Sequence, residues 1–486
     1  MKVWMVGPEM APYSKVGGLG DVLGALPRAL VEMGCTVTVA IPHLPPMGGG
    51  RWEIAPTGAR VEVQVAGTRH RAEVLSTRPA EGMRVLFVHY PPFFDREGLY
   101  GTPSGDYADN AERFAFFAYA AIEALKRVAP EPDVVHTHDW QTGLVPFLLR
   151  APEHYGEDPQ FSRTASVHTI HNLAYQGLFP AATLPGLGVS WSHFHHRELE
   201  FHGQVNLLKA GLVFADALTT VSPTYAREIQ EPAAGWGLDG VLRERAGDLH
   251  GILNGIDTEL WDPATDPYLP ARFSSKELRL RRENGRALRA ELGLSEDKRA
   301  LVGVVSRLVS QKGIDLLLGL ADRLENLRLQ WAILGAGETW YEAAVEDLGR
   351  RFPGTVAVRN GFEEDLAHRI YAGSDLFCMP SLFEPCGLGQ MIALRYGSLP
   401  VVRRTGGLAD TVRDVAERRG VGFVFDEPAP EALEEALRRA RFFLRDARKA
   451  GPARQRAMAL DFSWESSARR YLEVYRGAMD RRRAAG

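Results

Sequence analysis

A chain of 486 residues is too long for a single hydrophobic core and suits two or three domains. Its 45% hydrophobic and 24% charged residues are those of an ordinary soluble globular protein, and a net charge of −4 offers no electrostatic footprint for nucleic acid. Three cysteines, Cys35, Cys378 and Cys386, contain no CxxC pair, so neither a disulfide framework nor a structural zinc site follows. The chain enters a strand at once, without an apolar leader, and no run reaches membrane-spanning length, so the cytoplasm is the expected compartment.

Residues 3–7 form a short apolar strand, and residues 19–33 carry Leu19, Val22, Leu23, Leu26 and Leu30 at helical spacing. Pro27 is expected to kink or split that helix. Between strand and helix lies SKVGGLGD, residues 14–21. A glycine-rich turn at this place is the usual phosphate cradle of a doubly wound α/β domain. The turn is neither GxGxxG nor a Walker A loop, which argues against dinucleotide and P-loop binding, and Lys15 adds a positive charge to it. Further strands are expected at 37–41, 61–65, 72–75 and 85–89, the second alternating as an edge strand would.

Residues 93–107 (FFDREGLYGTPSGDY) read as a long loop whose Tyr100 and Tyr107 could stack on a sugar ring or simply anchor the loop. A helix at 110–128 follows. Strands at 133–138 and 165–170 end in Asp139-Trp140 and His171-Asn172, placing polar groups where ligands bind in open α/β sheets. The tract 193–202 (HFHHRELEFH) lacks a defined zinc spacing and reads as an exposed amphipathic helix. A strand at 217–221 leads to Ser222-Pro223, a cap and first helical residue, and a strand at 248–253 ends in Asn254-Gly255.

Residues 258–298 are charged and contain proline, and they read as the connection between domains. Beyond them, strands at 301–305, 329–334, 355–358, 375–379, 399–402 and 422–425 alternate with helices, a second doubly wound domain. The expected division is 1–255 and 256–464, with a final helix at about 465–486 returning to the first domain and a cleft between the two for a large substrate pair.

The first strand of the second series ends in Ser306-Arg307, and Lys312 follows in the turn SQKG. A guanidinium fork, a point charge and backbone N–H groups make an anion site. Gly335-Ala336-Gly337 and Asn360-Gly361-Phe362 close later strands on the same face, with Phe362 placed to pack on a flat base. Residues 381–390, SLFEPCGLGQ, carry Glu384 on an extended turn, because Pro385 disfavours helical dihedrals before it. Gly387 and Gly389 allow close approach of the backbone. A carboxylate beside an anion site suits a ligand that carries phosphate and develops positive charge. Sugar transfer from a nucleoside diphosphate has that character: Arg307, Lys312 and Lys15 would neutralise the leaving group and Glu384 the oxocarbenium-like carbon. With these cations in place of a divalent ion, neither a metal nor another cofactor is expected.

KVGGLGDV, THDW, TIHNLAYQG, ILNGID, SRLVSQKG and SLFEPCGLGQ, in this order, resemble the bacterial glycogen synthase and starch synthase family, and the resemblance runs from residue 2 to about 475. The resemblance implies an α/β chain of GT-B architecture and a retaining glucosyltransferase that extends an α-1,4-glucan from ADP-glucose. Lys15, Gly17 and Gly18 match the loop that contacts the nucleotide sugar. Asp139 and His171 match residues at the glucosyl group, and Asn254 a residue of the cleft. Arg307 and Lys312 match the diphosphate-binding pair, Glu384 the carboxylate near the donor glucose, and Cys386, Gly387 and Leu388 the turn whose backbone meets the donor. Tyr100 and Asn172 are candidates on the acceptor side. Many retaining relatives carry a second glutamate eight positions after the first; here that place holds Ile392, with Gln390 nearby, as in the glycogen synthase branch. Same-face attack within an ion pair is the favoured route to retention. UDP-glucose as donor, or a non-catalytic nucleotide or glucan sensor on the same scaffold, are the alternative readings, and no nucleic-acid or membrane partner is expected.

Overall fold

The computed structural model describes residues 1–44, 53–102 and 105–485. Its chain divides into two compact units. The first comprises Met1–Val221, Ala226–Ile252 and the segment from Trp464 onward. The second comprises Ser222–Tyr225 and Leu253–Ser463.

In the first unit the near-continuous apolar run Lys2–Val6 (β1) is a buried central strand, as a parallel strand covered on both faces must be. Then come α1 (Gly18–Glu32), β2 (Thr36–Pro42), β3 (Ala55–Val65), β4 (Thr68–Ala80), β5 (Met83–His89), α2 (Asn110–Val128), β6 (Val134–His138), β7 (Ala165–Ile170), β8 (Ala217–Thr220) and β9 (Leu249–Gly251). These strands form one nine-stranded sheet in the order β9-β8-β7-β6-β1-β2-β5-β4-β3. Pairing is parallel from β9 to β5 and antiparallel for the last two strands, with Val3 opposite both Val37 and Val134. The alternating β3 is the edge strand, as its sequence suggested.

Helix α1 buries Leu19, Val22, Leu23, Leu26 and Leu30 and runs unbroken through Pro27. The proline forfeits the hydrogen bond to the Leu23 carbonyl, and burial of this whole face outweighs that loss, so the expected split does not occur. The C-terminal helix Trp464–Ala485 belongs to this unit. Its Trp464, Ala468, Tyr471, Leu472 and Tyr475 enter the same core as α1, and the Tyr475 hydroxyl bonds His136 Nδ1 at 2.8 Å.

Two readings of this unit need correction. Residues 193–202 are not a helix. Trp191–His193 is a single 3-10 turn, and Glu200–Phe201 pairs with Gln204–Asn206 in a small antiparallel sheet. His193 is fixed by Glu198 at 2.6 Å and Glu153 at 2.7 Å, and these carboxylates raise its pKa against the effect of burial. The stretch 93–107 is more ordered than a loop: it begins within the helical turn Pro91–Phe94, and Gly101–Thr102 pairs antiparallel with Gly105–Asp106, while Pro103 and Ser104 lie outside the described residues. Tyr107 is the anchor, its ring facing the guanidinium groups of Arg96 at 4.8 Å and Arg113 at 4.9 Å.

The second unit carries six strands, β10 (Ala300–Val305), β11 (Leu329–Gly335), β12 (Val356–Asn360), β13 (Leu376–Met379), β14 (Leu399–Arg403) and β15 (Phe423–Phe425). They form an all-parallel sheet in the order β12-β11-β10-β13-β14-β15, reversing at β10/β13. Such a reversal is where open α/β sheets bind ligands. Residues 258–298, read as a connection, are folded into this unit and contain the helix Arg281–Leu292. Their charge hides their burial. Arg281 is buried and donates to the Tyr396 carbonyl at 3.0 Å and to the Ser374 carbonyl, and buried Asp266 accepts from Tyr396 at 2.5 Å and meets His368 at 2.7 Å. Each buried charge thus has its hydrogen-bond partners, the condition on which burial is tolerated.

Candidate functional site

In the first unit, β7, β6 and β1 are consecutive strands, so the segments leaving their carboxyl ends are neighbours. The loop after β1 brings Lys15, whose ammonium meets Asp21 at 2.7 Å while remaining half exposed. After β6, Asp139 adopts φ +54°, a left-handed conformation that a non-glycine residue holds only where its surroundings impose it. The imposed contacts are identifiable: the Asp139 N–H donates to Thr169 at 2.9 Å, and its carboxylate accepts the His171 N–H at 2.7 Å. Burial pushes the Asp139 carboxyl up to about 7, against the pull of the His171 and Asn172 N–H groups. His171 is kept neutral, its pKa lowered to about 3 by burial, and its Nε2 lies 3.0 Å from His138 Nδ1. Asn172 turns its side-chain oxygen to the Ala174 N–H at 3.1 Å, which shapes its own turn. Tyr100 packs its ring on Phe114, with centroids 6.1 Å apart, and the charges of Glu9 and Asp139 reach its hydroxyl.

In the second unit, the segments after β10 and β13 meet on either side of the reversal. The turn Ser310–Lys312 lies against residues 380–383, where the Leu382 N–H donates to the Gln311 carbonyl at 2.9 Å. Gly313 makes this possible. A Cβ there would fall 2.0 Å from the Pro380 carbonyl oxygen, and its φ is +67°. The result is an ion pair between residues 72 apart: Lys312 Nζ meets Glu384 Oε2 at 2.6 Å. The same oxygen accepts from the Ser381 hydroxyl at 2.9 Å, and Glu384 is only 5% exposed. Arg307 stands open to solvent, with a long contact of 3.4 Å to Gln311. The helices that open after Lys312 and Glu384 have only 5 and 7 residues. The positive charge on this face therefore comes mainly from the two side chains.

The Cys386–Leu388 turn is tied by Gln390, whose amide donates to the carbonyls of Cys386 at 3.0 Å and Gly387 at 2.9 Å. Cys386 is buried, and burial pushes its thiol up to about 12, so no thiolate is available near neutrality. Ile392 is a buried helix residue, and no second carboxylate stands in its place. Asn254 belongs to this unit. Its backbone reaches the Cys386 thiol, and its buried Oδ1 has no protein partner. Phe362, on the turn after β12, is 78% exposed. Among the described residues no three or more His, Cys, Asp or Glu side chains gather as a metal site would require.

Several contributors went unread in the sequence. Gly406 and Gly407, after β14, pack on the Glu384 turn so closely that a Cβ on either would fall 2.0 to 2.1 Å from the carbonyl oxygens of Glu384 and Cys386. The signal was present as a repetition: GGLGD at 17–21 and GGLAD at 406–410, each after a parallel strand and opening a helix. Glu9, His138, Ser381 and Gln311 carry no such mark, because each acts through a contact that only the fold creates.

Comparison with known proteins follows the same outline. The starch synthase catalytic domain family matches residues 2–244, and the glycosyl transferases group 1 family matches residues 287–446. A glycogen synthase of Anaeromyxobacter sp. (strain Fw109-5) is 49% identical over 98% of this chain and 99% of that protein. One from Geotalea uraniireducens (strain Rf4) is 45% identical over 99% and 100%. Among solved structures, the catalytic domain of starch synthase IV from Arabidopsis thaliana, bound to ADP and acarbose, aligns with a TM-score of 0.89 at 36% identity, covering 98% and 99%. Sucrose-phosphate synthase from Thermosynechococcus elongatus, at 18% identity and a TM-score of 0.59, shares the fold.

Proposed function

Since the chain belongs to the glycogen and starch synthase family of GT-B glucosyltransferases, we propose that it transfers glucose from ADP-glucose to the non-reducing end of an α-1,4-glucan, with retention and without a metal or organic cofactor, in the cytoplasm. The observation that carries this reading is the buried carboxylate of Glu384 held at 2.6 Å by Lys312, beside the open guanidinium of Arg307. Arg307 and Lys312 take the diphosphate and neutralise the charge that grows on it as the glycosidic bond breaks. Lys312, shared between the diphosphate and Glu384, links departure of the leaving group to the carboxylate that stabilises the sugar cation. Asp139, its neighbour His171 and the Lys15 loop of the first unit serve the glucosyl group and the donor. Neutral His171 donates or accepts a hydrogen bond without adding charge. Attack on the same face, within the ion pair of departing ADP and glucosyl cation, gives retention without a covalent intermediate.

ADP in the starch synthase IV structure supports adenine over uracil, and acarbose, an oligosaccharide mimic, supports a glucan acceptor. The test is release of nucleoside diphosphate from ADP-glucose and UDP-glucose, with and without glycogen, for wild type and Glu384→Ala. Glycogen-dependent ADP release that collapses in the variant supports the reading. Preference for UDP-glucose replaces the donor, and binding of either donor without turnover makes the chain a sensor.

A further inference from the structure

The loop that carries Lys15 is closed at its base by an isolated antiparallel bridge between Met10 and Ser14 and by the Ala11 N–H donating to the Gly20 carbonyl at 2.9 Å, and its Val16–Gly17 stretch is held from inside the first unit. Glu9, two residues beyond Gly7 at the end of β1, is 2% exposed. One of its carboxylate oxygens, Oε2, receives two backbone donors, the Val16 N–H and, at 3.3 Å, the Gly17 N–H. These are the residues directly after Lys15 and at the head of the glycine pair. A carboxylate buried with no cation is costly unless its hydrogen bonds are made, so the loop and the carboxylate need each other. Burial pushes the Glu9 carboxyl up to about 7 while the Val16 and Gly17 N–H groups pull it down, and Asp21 adds a repulsive charge. The field of Glu9 also reaches Tyr100 and Asp139. One buried group therefore touches the glycine loop and adjoins the strand end that carries Asp139.

We propose that Glu9 is the positioning residue of the glycine-rich loop: by binding the Val16 and Gly17 amides it fixes where Lys15 and the Gly17-Gly18 turn meet the nucleotide sugar. Glu9 touches no substrate in this role; it acts through the loop. The proposal rests on the donor role given to Lys15 above, and Lys15→Ala serves as the control for that role.

The experiment combines amide hydrogen exchange over residues 14–20 with steady-state kinetics, varying donor and glycogen separately, for Glu9→Ala, Glu9→Asp, Glu9→Gln and Lys15→Ala. Glu9→Ala is expected to lose protection at Val16 and Gly17 and to raise the donor KM about tenfold or more, with the glycogen KM within about twofold of wild type. Glu9→Asp, one methylene short, follows it in direction and covers the case in which the alanine variant does not fold. Glu9→Gln keeps an acceptor oxygen at the same reach and recovers the donor KM to within about threefold. Unchanged protection in Glu9→Ala or Glu9→Asp overturns the proposal. So does an unchanged donor KM in these variants when Lys15→Ala raises it, or a Glu9→Gln enzyme no better than Glu9→Ala. A kinetically silent Lys15→Ala overturns instead the donor role of the loop, and the positioning role with it.

Discussion

Glu384 and Lys312 illustrate how unequal the two halves of an ion pair are. Glu384 is nearly sealed, Lys312 has a side chain 16% exposed, and Ser381 supplies a second donor to the same oxygen. Removing the lysine leaves a buried charge with one hydroxyl; removing the charge leaves two donors and a neutral acceptor. Breaking a buried pair from one side costs about 3–5 kcal/mol, so Lys312→Met is expected to lower both stability and turnover. Glu384→Gln is expected to keep the fold, since Lys312 and Ser381 still bond an amide oxygen, while kcat falls by about 10²–10³. Denaturant midpoints beside initial rates separate the two; equal stability losses would contradict this division. Both residues were legible in the sequence because each stands where a strand gives way to a helix. Their pairing was not, since 72 residues separate them and only the reversal of strand order at β10/β13 brings those two turns together.

At the level of elements, apolar runs mark the parallel strands of both sheets to within two residues, because such a strand is buried on both faces and has little freedom in composition, whereas the antiparallel β3 and β4 run well beyond the expected 61–65 and 72–75. Polarity misled where it was buried. The segment 258–298 reads as a connection because it is charged and contains proline, and a linear chain does not reveal that Tyr396, His368 and backbone carbonyls await its Asp266 and Arg281. The same blindness covers β6 and β7, whose histidines define the acid response of the first unit. Burial lowers His168 and His171 to about 3, and His136 and His138 well below the usual histidine value. In the unfolded chain these groups titrate near 6.5, so the unfolded state takes up protons that the native state refuses, and stability present above about pH 6.5 is lost as pH falls. Glu9 and Asp139 act in the opposite sense. Their folded values of about 7 give a stabilisation that is complete below about pH 4 and lost as pH rises through 7. Between about pH 6 and 4.5 four histidines oppose two carboxyls, and the histidines prevail. The first unit is expected to lose roughly 1.4 kcal/mol per pH unit for each net proton taken up. Hydrogen exchange of the β6 and β7 amides at pH 7.5, 6.0 and 5.0 measures this; protection that holds or grows on acidification would contradict it.

For the molecule as a whole, the informative segment is the helix Trp464–Ala485, which follows the second unit in the chain and belongs to the first. Its aromatic composition marked it in the sequence as a returning element, whereas its partner His136, more than three hundred residues away, did not. Trp464, Tyr471, Leu472, Val474 and Tyr475 are buried. At about 1.5–3 kcal/mol for each large apolar side chain, their burial is worth roughly 10 kcal/mol, comparable with the whole stability of a domain. A chain ending at residue 463 is therefore expected to keep a protease-resistant second unit and to have a first unit that is digested rapidly; an intact first unit in limited trypsinolysis would contradict this. The arrangement also sets a timetable. On a ribosome adding about 5–20 residues per second, the second unit is complete before the helix that finishes the first has been made. For roughly 10–50 s the nascent first unit stands with an apolar groove open beside α1 and His136. During that interval, its exposure to chaperones, to proteases and to other nascent chains is set by the speed of translation.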